Sequence, residues 1–267
     1  MSKLFNLGDL INRSADSSKL ALIDLSRVGK PKKYTHKEID QMVMAVARGL
    51  SNLKLDRGDR IAILAANSLE FITTYLGIMR AGMVAVPINH KFPMDTIEFI
   101  LSDADCKVVF ADEARGLQIP KGYKFFIFDS HVGSKFGKFL DYGEFETVMP
   151  LEDEVAMFLY TSGSTGRPKG VPLTHKGHLW VIEMRLKQKP EPDHRMLVAA
   201  PLYHMNGLAI CKVALAGHLS IVLLPQFDAK AYISAIESYG VTWLTSVAAM
   251  MAMVVREEDF LSKTNLS

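Results

Sequence analysis

The sequence predicts an α/β protein made of two consecutive doubly wound, mostly parallel sheet units with helices on both faces. Short apolar segments of strand length alternate with amphipathic segments of helix length along the 267 residues. Strands that alternate with helices in this way normally lie parallel and carry helices on both sides. With 49% hydrophobic and 22% charged residues, the composition is that of a globular chain with a sizeable core.

The first predicted unit is a subdomain at residues 1–175. Its first helix, at residues 34–53, begins with Thr35 and Glu38, which form a capping-box pattern, and continues with apolar residues at helical spacing. A second helix begins near Asn67 and Glu70 and ends at Gly82, and a third covers residues 94–103. Strands are predicted at residues 60–65, 83–88, 107–111, 124–128 and 155–160, and residues 129–150 are predicted to be irregular.

The second predicted unit, residues 176–267, has the same rhythm. Helices are predicted at residues 177–187, 206–216, 229–239 and 247–257, and strands at residues 195–200, 219–224 and 241–246. Gly240 is predicted to stop the helix before it. The polar final residues follow a helix with no closing strand, so we expect a truncated subdomain with an uncovered edge strand that favours self-association.

Composition and charge exclude several classes of protein. The net charge of +2 comes from scattered basic residues, which argues against a nucleic-acid partner. The N-terminus has charges too frequent for a signal peptide, and the longest apolar stretches are too short for a membrane span. Cys106 and Cys211 both lie in apolar sequence surroundings, which fits reduced thiols better than a disulfide framework. We therefore expect a cytoplasmic protein without a membrane span.

The most informative segment is residues 159–170, which read Leu-Tyr-Thr-Ser-Gly-Ser-Thr-Gly-Arg-Pro-Lys-Gly directly after a predicted strand. Glycines allow backbone N–H groups to converge on an anion, hydroxyls add donors, and Lys169 adds a positive charge. An ordinary Gly/Ser turn is the alternative, but it needs no lysine beyond a proline. Gly163 and Gly166 are too close together for a Walker A loop. The pattern predicts a polyphosphate-binding loop.

This loop closely resembles the signature loop of the adenylate-forming superfamily, without gaps from residue 159 to residue 175. The resemblance implies that the loop grips the β- and γ-phosphates of ATP and that Thr161 lies near the magnesium ion. The nucleotide-binding residues that it implies are Thr161, Ser162, Gly163, Ser164, Thr165, Gly166 and Lys169. The same resemblance implies ATP, Mg²⁺ and coenzyme A as the ligands of a complete enzyme.

A second candidate site is residues 201–207, Pro-Leu-Tyr-His-Met-Asn-Gly, after the strand predicted to end at Ala200. Ligands gather at the carboxyl ends of strands in open α/β sheets, although a capped loop with a hydrogen-bonded histidine is the plain alternative. Acyl- and aryl-CoA ligases of the superfamily carry a similar Pro-x-aromatic-His-x-x-Gly segment. The resemblance implies that His204 packs beside the acyl group, with Tyr203 and Gly207 in the same wall. Amino-acid adenylation domains tend to have Phe-Asp-x-Ser instead.

Other motifs of the superfamily are missing. The segment at residues 239–242 continues with Trp243 rather than with the magnesium-binding glutamate, and the ribose-binding Ser-Thr-Gly-Asp and the catalytic lysine are absent. We therefore expect an N-terminal piece of an AMP-forming carboxylic acid–CoA ligase that cannot complete the reaction alone. A non-catalytic nucleotide- or partner-binding module and a different phosphotransferase stay open as alternatives. His175 and His178 have no ligand-spaced partner and do not predict a metal site.

Overall fold

The computed structural model describes residues 4–27, 30–128, 135–161, 167–188, 190–191 and 193–265. The strands are β1 (Leu20–Asp24), β2 (Lys32–Thr35), β3 (Arg60–Leu64), β4 (Val84–Pro87), β5 (Cys106–Asp112), β6 (Lys124–Phe128), β7 (Val155–Thr161), β8 (Lys169–Thr174), β9 (Arg195–Val198), β10 (Ser220–Leu223) and β11 (Trp243–Leu244). The helices are α1 (His36–Ser51), α2 (Leu69–Arg80), α3 (Met94–Asp103), α4 (Lys135–Phe139), α5 (His175–Leu186), α6 (Met205–Ala216), α7 (Ala229–Tyr239), α8 (Ala248–Val255) and α9 (Glu258–Leu261).

A six-stranded sheet contains the predicted strands of the first unit. Its order is β6-β5-β3-β4-β7-β8, and every neighbouring pair is parallel except β7 and β8. β7 and β8 form an antiparallel hairpin in which Tyr160 pairs with Gly170 and Thr161 with Lys169. The parallel strands all point the same way, so their carboxyl ends share one edge of the sheet.

A five-stranded sheet, in the order β11-β9-β10-β1-β2, contains the strands of the second unit. It also contains β1 and β2, which the sequence did not predict: β1 runs parallel to β10, and β2 pairs antiparallel with β1. The predicted boundary at residue 175 comes directly after the last strand of the six-stranded sheet. However, β1 and β2 come before that boundary and belong to the five-stranded sheet. The division into two subdomains stays a prediction.

A helical layer lies between the two sheets. Buried side chains of α1, α2 and α6 share one hydrophobic cluster with both sheets, and every residue of α2 is buried. The predicted capping box of α1 is present, because Thr35 and Glu38 exchange hydrogen bonds between side chain and backbone. This central layer is why α2 lacks a polar face.

The outer faces of both sheets are covered as well. Residues of α3 pack on alternate side chains of β3, β4 and β5 in a second cluster, and residues of α7 and α8 pack on the five-stranded sheet in a third. Successive side chains of a strand point to opposite faces, so each sheet is buried on both sides. The predicted fold class, mostly parallel sheets with helices on both faces, is confirmed.

Two local predictions were wrong in extent. The strand expected at residues 241–246 is reduced to the two residues of β11, at the edge of its sheet. The region at residues 129–150, expected to be irregular, contains α4, whose Phe136 and Phe139 are buried against Phe110. Gly240 takes the left-handed conformation with φ +57°, as predicted for a helix stop. Within the described residues, no helix is long and apolar enough to cross a bilayer.

Candidate active site

The hairpin of β7 and β8 holds the two ends of the predicted phosphate loop together. Thr161 ends β7, Lys169 begins β8, and the two residues are paired across the hairpin. Both are exposed, so the hydroxyl and the ammonium group are free to meet a ligand. The remaining predicted residues, Ser162, Gly163, Ser164, Thr165 and Gly166, lie outside the described residues.

α3 fixes both arms of this hairpin. The Tyr160 hydroxyl donates a hydrogen bond to Asp103 Oδ2 at 2.6 Å, and the Arg167 guanidinium carbon lies 5.2 Å from the centre of the Phe99 ring. Burial, followed by the contact with Asp103, raises the pKa of Tyr160, so the phenol stays protonated as a donor. These two contacts set the positions from which Thr161 and Lys169 project.

Gly170 is required by the packing of the hairpin. A Cβ atom at this position would lie 2.9 Å from Cζ of Tyr160. Any larger residue would therefore push the Tyr160 ring away from Asp103 or shift β8. Gly170, the last residue of the 159–170 segment, therefore allows β7 and β8 to pair closely.

The second predicted segment, residues 201–207, leaves the carboxyl end of β9 and enters α6. Tyr203 is buried, whereas His204 is exposed at the N-cap of α6, and their rings are 4.7 Å apart. Partial burial lowers the pKa of His204, which favours a neutral imidazole. Gly207 is tightly packed: a Cβ there would lie 2.8 Å from the carbonyl oxygen of Ala200.

Asn67 anchors this loop to both sheets, a role that sequence reasoning missed. Its side-chain amide donates hydrogen bonds to the carbonyl oxygens of Ala200 and Leu224, at 3.1 and 3.0 Å. Its side-chain oxygen accepts a hydrogen bond from the backbone N–H of Leu202 at 2.8 Å. Asn67 follows β3, whereas its partners follow β9 and β10, so one buried amide joins strand ends of the two sheets.

His90 packs against the second candidate segment from the six-stranded sheet. It follows β4, the strand that pairs with β7, and its ring makes an edge contact with Tyr203 at 5.2 Å. Its Nδ1 lies 3.2 Å from the carbonyl oxygen of Ala65. Burial, followed by the charge of Arg115, lowers the pKa of His90. His90 thus places the end of β4, the neighbour of β7 in the six-stranded sheet, against Tyr203 of the second segment.

A cavity of about 490 Å³ lies between α5, α6 and β11. Asn206, two residues after His204, lines it, and the Thr245 hydroxyl lies 3.2 Å from Asn206 Oδ1. His204 itself is not among the lining residues. The walls are mostly apolar, with Ile182, Ile210 and Trp243 among them. Cavities of this size and character bind small organic ligands.

The donor set at the hairpin fits a magnesium ion carried by a nucleotide better than a protein-bound metal. Within the described part of the chain, no three histidine, cysteine or acidic residues cluster at metal-binding distances. Magnesium is usually held by substrate phosphates, water and one or two protein oxygens. The exposed hydroxyl of Thr161 is an oxygen donor of the required kind.

A comparison with protein families decides the assignment. The family profile described as AMP-binding enzyme matches residues 12–267. The chain belongs to the AMP-binding enzyme family. The predicted resemblance to adenylate-forming enzymes is thereby confirmed.

Curated relatives of this chain are named as CoA ligases. A feruloyl-CoA synthase of Amycolatopsis sp is 31% identical over 231 residues, which cover 81% of this chain and 44% of the relative. A 2-succinylbenzoate–CoA ligase of Bacillus cereus is 29% identical over 224 residues, covering 82% and 44%. The chain thus spans about half the length of the curated relatives it matches.

Solved structures share the fold. The inhibitor-bound N-terminal domain of FACL13 from Mycobacterium tuberculosis matches with a TM-score of 0.87 at 23% identity, over 98% of this chain and 68% of that structure. ATP-bound MatB from Rhodopseudomonas palustris matches with a TM-score of 0.83 at 25% identity, over 96% and 52%. The two sheets and their helical layers are therefore those of the N-terminal domain of adenylate-forming enzymes.

Proposed function

We propose that this chain is part of an AMP-forming carboxylic acid–CoA ligase. The observation that carries the proposal is the pairing of Thr161 with Lys169 at the two ends of the glycine- and serine-rich loop. In a family whose curated relatives are named as CoA ligases, this pairing places a hydroxyl and an ammonium group where a nucleotide phosphate needs donors. The solved structure of MatB with ATP bound supports ATP as the nucleotide.

The hairpin supplies the phosphate grip. Lys169 neutralises part of the charge on the β- and γ-phosphates, and residues 162–166 add backbone and hydroxyl donors. Magnesium, when bound with the nucleotide, further neutralises phosphate charge, and the Thr161 hydroxyl is the side chain proposed to reach it. The Tyr160–Asp103 hydrogen bond keeps Thr161 and Lys169 in position before the ligand arrives.

The 201–207 loop supplies one wall for the acid. Tyr203 is held between His90 and His204, and Gly207 allows the start of α6 to lie close to the end of β9. Desolvation lowers the pKa of His204, which favours the neutral imidazole and a flat polar surface beside Tyr203. We place the acyl group between this wall and the neighbouring cavity.

The proposed reaction has two steps. A carboxylate oxygen of the acid bonds to the α-phosphorus of ATP, the bond to the bridging oxygen of the β-phosphate breaks, and pyrophosphate leaves. The sulfur of CoA then bonds to the acyl carbon, the carbon–oxygen bond to AMP breaks, and the thiol proton passes to solvent. AMP leaves with an oxygen atom that came from the acid.

We further propose that these 267 residues alone do not turn over, because the magnesium glutamate, the ribose aspartate and the catalytic lysine of the superfamily are not among them. A cytoplasmic location is supported by two free, buried thiols, Cys106 and Cys211. The second candidate is a non-catalytic nucleotide-binding module. It is favoured by the same exposed Thr161–Lys169 pair, which can hold phosphates without any chemistry following.

Transfer of labelled oxygen separates these candidates. The full-length protein that contains this chain is incubated with ATP, CoA and a panel of aliphatic and aromatic acids labelled with ¹⁸O in the carboxylate. A ligase transfers one label to AMP and releases pyrophosphate, with a turnover of about 1 per second or more on its own substrate. Unlabelled AMP, or ADP and phosphate as products, contradicts the proposed ligase. Nucleotide binding without any product supports the module.

A further inference from the structure

Lys212 is a buried cation that the phosphate site does not use. It lies on α6, only 2% of its surface is exposed, and it lines the 490 Å³ cavity. Its neighbours on the helix, Cys211 and Val213, are apolar core residues. A lysine is almost never buried to this extent without a paired acid, so its position requires an explanation.

The only hydrogen-bond partner that the described residues offer this lysine is a histidine. Nδ1 of His178, on α5, lies 3.2 Å from Lys212 Nζ, and no carboxylate of the described chain is within ion-pair distance of Lys212. Burial lowers the pKa of Lys212 to about 7, and burial followed by the charge of Lys212 lowers the pKa of His178 to about 4. His178 is therefore the neutral acceptor. Lys212 has no counter-ion among the described residues, so an anionic ligand beside it would favour its charged form.

The cavity has more basic than acidic side chains in its walls. Apart from the neutral His178, its ionisable lining residues are Arg185, His194 and Lys212 against the single acid Glu191. Glu191 is exposed, whereas Lys212 is buried. Among the described residues no opposite charge faces the buried Lys212, and a buried cation is where a ligand's anionic group gains most from the contact.

Lys212 is far from the reactive end of the proposed acyl site. It comes eight residues after His204 and six after Asn206 along α6, which corresponds to a rise of about 12 Å and about 9 Å. The carboxylate that reacts with ATP must lie near the strand edge that carries Thr161 and His204. A group that meets Lys212 must therefore belong to the opposite end of the same acid.

We propose that Lys212 and His178 recognise a second carboxylate, so that the acid accepted by this protein is a dicarboxylic acid with an apolar body. The apolar walls hold the body, and the ammonium group of Lys212 pairs with the distal carboxylate. This inference rests on the proposed ligase function for the identity of the reacting end. Recognition of the distal carboxylate by the cavity does not require ATP.

Binding of two acids of equal chain length tests the proposal directly. Suberate and octanoate are titrated into the chain at pH 7 without nucleotide, with binding followed by calorimetry or ligand-observed NMR. We expect suberate to bind at least about tenfold more tightly, the size typical of one charge-assisted contact. Lys212→Met, which keeps the volume and removes the charge, should abolish that preference and leave octanoate binding unchanged or tighter.

A matched control is Lys187→Met, which removes an exposed lysine from the C-terminal end of α5 and should leave the suberate preference intact. Suberate binding no tighter than octanoate in the unmodified chain overturns the proposal without any variant. A preference that persists in a folded Lys212→Met chain overturns it as well. Neither result depends on ATP, so a failure of the phosphate site would be seen separately, in the response of nucleotide binding to changes at Lys169.

Discussion

Arg80 Nη1 donates a hydrogen bond to Asp40 Oδ1 at 2.6 Å in the interior between α1 and α2. Arg80 is 1% exposed, and its Nε also donates to the Thr147 hydroxyl. Arg13 is the second cation on Asp40, with its Nε 2.7 Å from Oδ2. This network ties the N-terminal segment, two helices and the strand-connecting segment at residue 147 into one unit, which supports the layer between the sheets.

Replacing Arg80 by methionine should cost about 3–5 kcal/mol of folding free energy, because Asp40 then keeps a buried charge with only one cation. Urea unfolding of the two chains measures the difference. Arg57→Met is the control: Arg57 pairs with Glu154 at the surface, and its loss should cost less than about 1 kcal/mol. Equal losses for the two variants would show that the Arg80 network contributes no more than a surface ion pair.

His175 should make stability depend on pH. At the start of α5 its Nδ1 accepts a hydrogen bond from the backbone N–H of Leu7 at 3.1 Å, which requires the neutral ring. Burial lowers its pKa to about 4, below the value of about 6.5 in an unfolded chain. The unfolded chain therefore takes up the proton first as pH falls. This contribution is fully present above about pH 6.5 and decreases by about 3 kcal/mol towards pH 4.

Measurement of unfolding free energy from pH 7.5 to pH 4 tests this dependence. His175→Asn keeps an acceptor for Leu7 and removes the titration, so its stability should fall less steeply over that range. Near pH 7.5 the two chains should differ little. The same slope in both would mean that other groups cause the acid sensitivity.

Elements whose signals are local agree closely with the sequence prediction. α3 and α7 begin and end at the predicted residues, and α1 carries the predicted capping box. Caps, helix periodicity and a left-handed glycine act within a few residues of one another, so they can be recognised without the fold. The hairpin that pairs Thr161 with Lys169 is also a local structure, since its two strands are adjacent in the chain.

Features that depend on distant partners could not be predicted. β1 is stabilised by pairing with β10, about 200 residues later, and its run of only four apolar residues does not identify that partner. The Asn67 side chain donates a hydrogen bond to Ala200, 133 residues later in the chain. Lys212 Nζ lies within hydrogen-bond distance of His178, which is 34 residues earlier. A buried asparagine directly after a strand and a lysine inside an apolar helix were the available signals. Neither identifies its partner.

α8 should make the chain associate with itself. Its sequence is apolar throughout, yet only Met250 is buried, and Met253 and Val255 are 50% and 61% exposed. β11 beside it is an edge strand. Exposed apolar surface and open edges favour association. Light scattering should show growth in mass with concentration, reduced in a Met253→Lys, Val255→Glu variant.

Leu117→Lys is the control for this effect, because Leu117 is 90% exposed in a short turn far from α8 in the sequence. It should leave the concentration dependence unchanged. A strictly monomeric chain at high concentration that binds no apolar dye would contradict the prediction.

His204→Ala should affect the acid more than the nucleotide. In the full-length protein we expect a loss of about tenfold or more in the rate of thioester formation, because the ring beside Tyr203 forms part of the acyl wall. The affinity for ATP should stay within about twofold, since the proposed phosphate contacts come from the β7–β8 hairpin and not from His204. An unchanged rate and an unchanged preference among acids would make His204 a structural residue only.

The nucleotide prediction concerns Lys169 and depends on a balance of two terms. Charge-assisted contacts to phosphate contribute roughly 1.5–3 kcal/mol each. Ordering the free loop costs about 1–2 kcal/mol for each residue fixed. The hairpin already holds Thr161 and Lys169 opposite each other, so the cost falls mainly on the residues between them. The net affinity should be weak, with a dissociation constant of about 0.1–10 mM.

Because the contacts are to phosphates, pyrophosphate and GTP should bind nearly as tightly as ATP and compete with it for the site. Lys169→Ala should weaken all three about tenfold. Lys176→Ala, which removes an exposed lysine on α5 that pairs with Glu152, should weaken none of them. Calorimetry or ligand-observed NMR on the three chains gives the comparison. Tight, adenine-selective binding that survives Lys169→Ala would place the nucleotide elsewhere, because a site built on Lys169 cannot keep its affinity when the charge is removed.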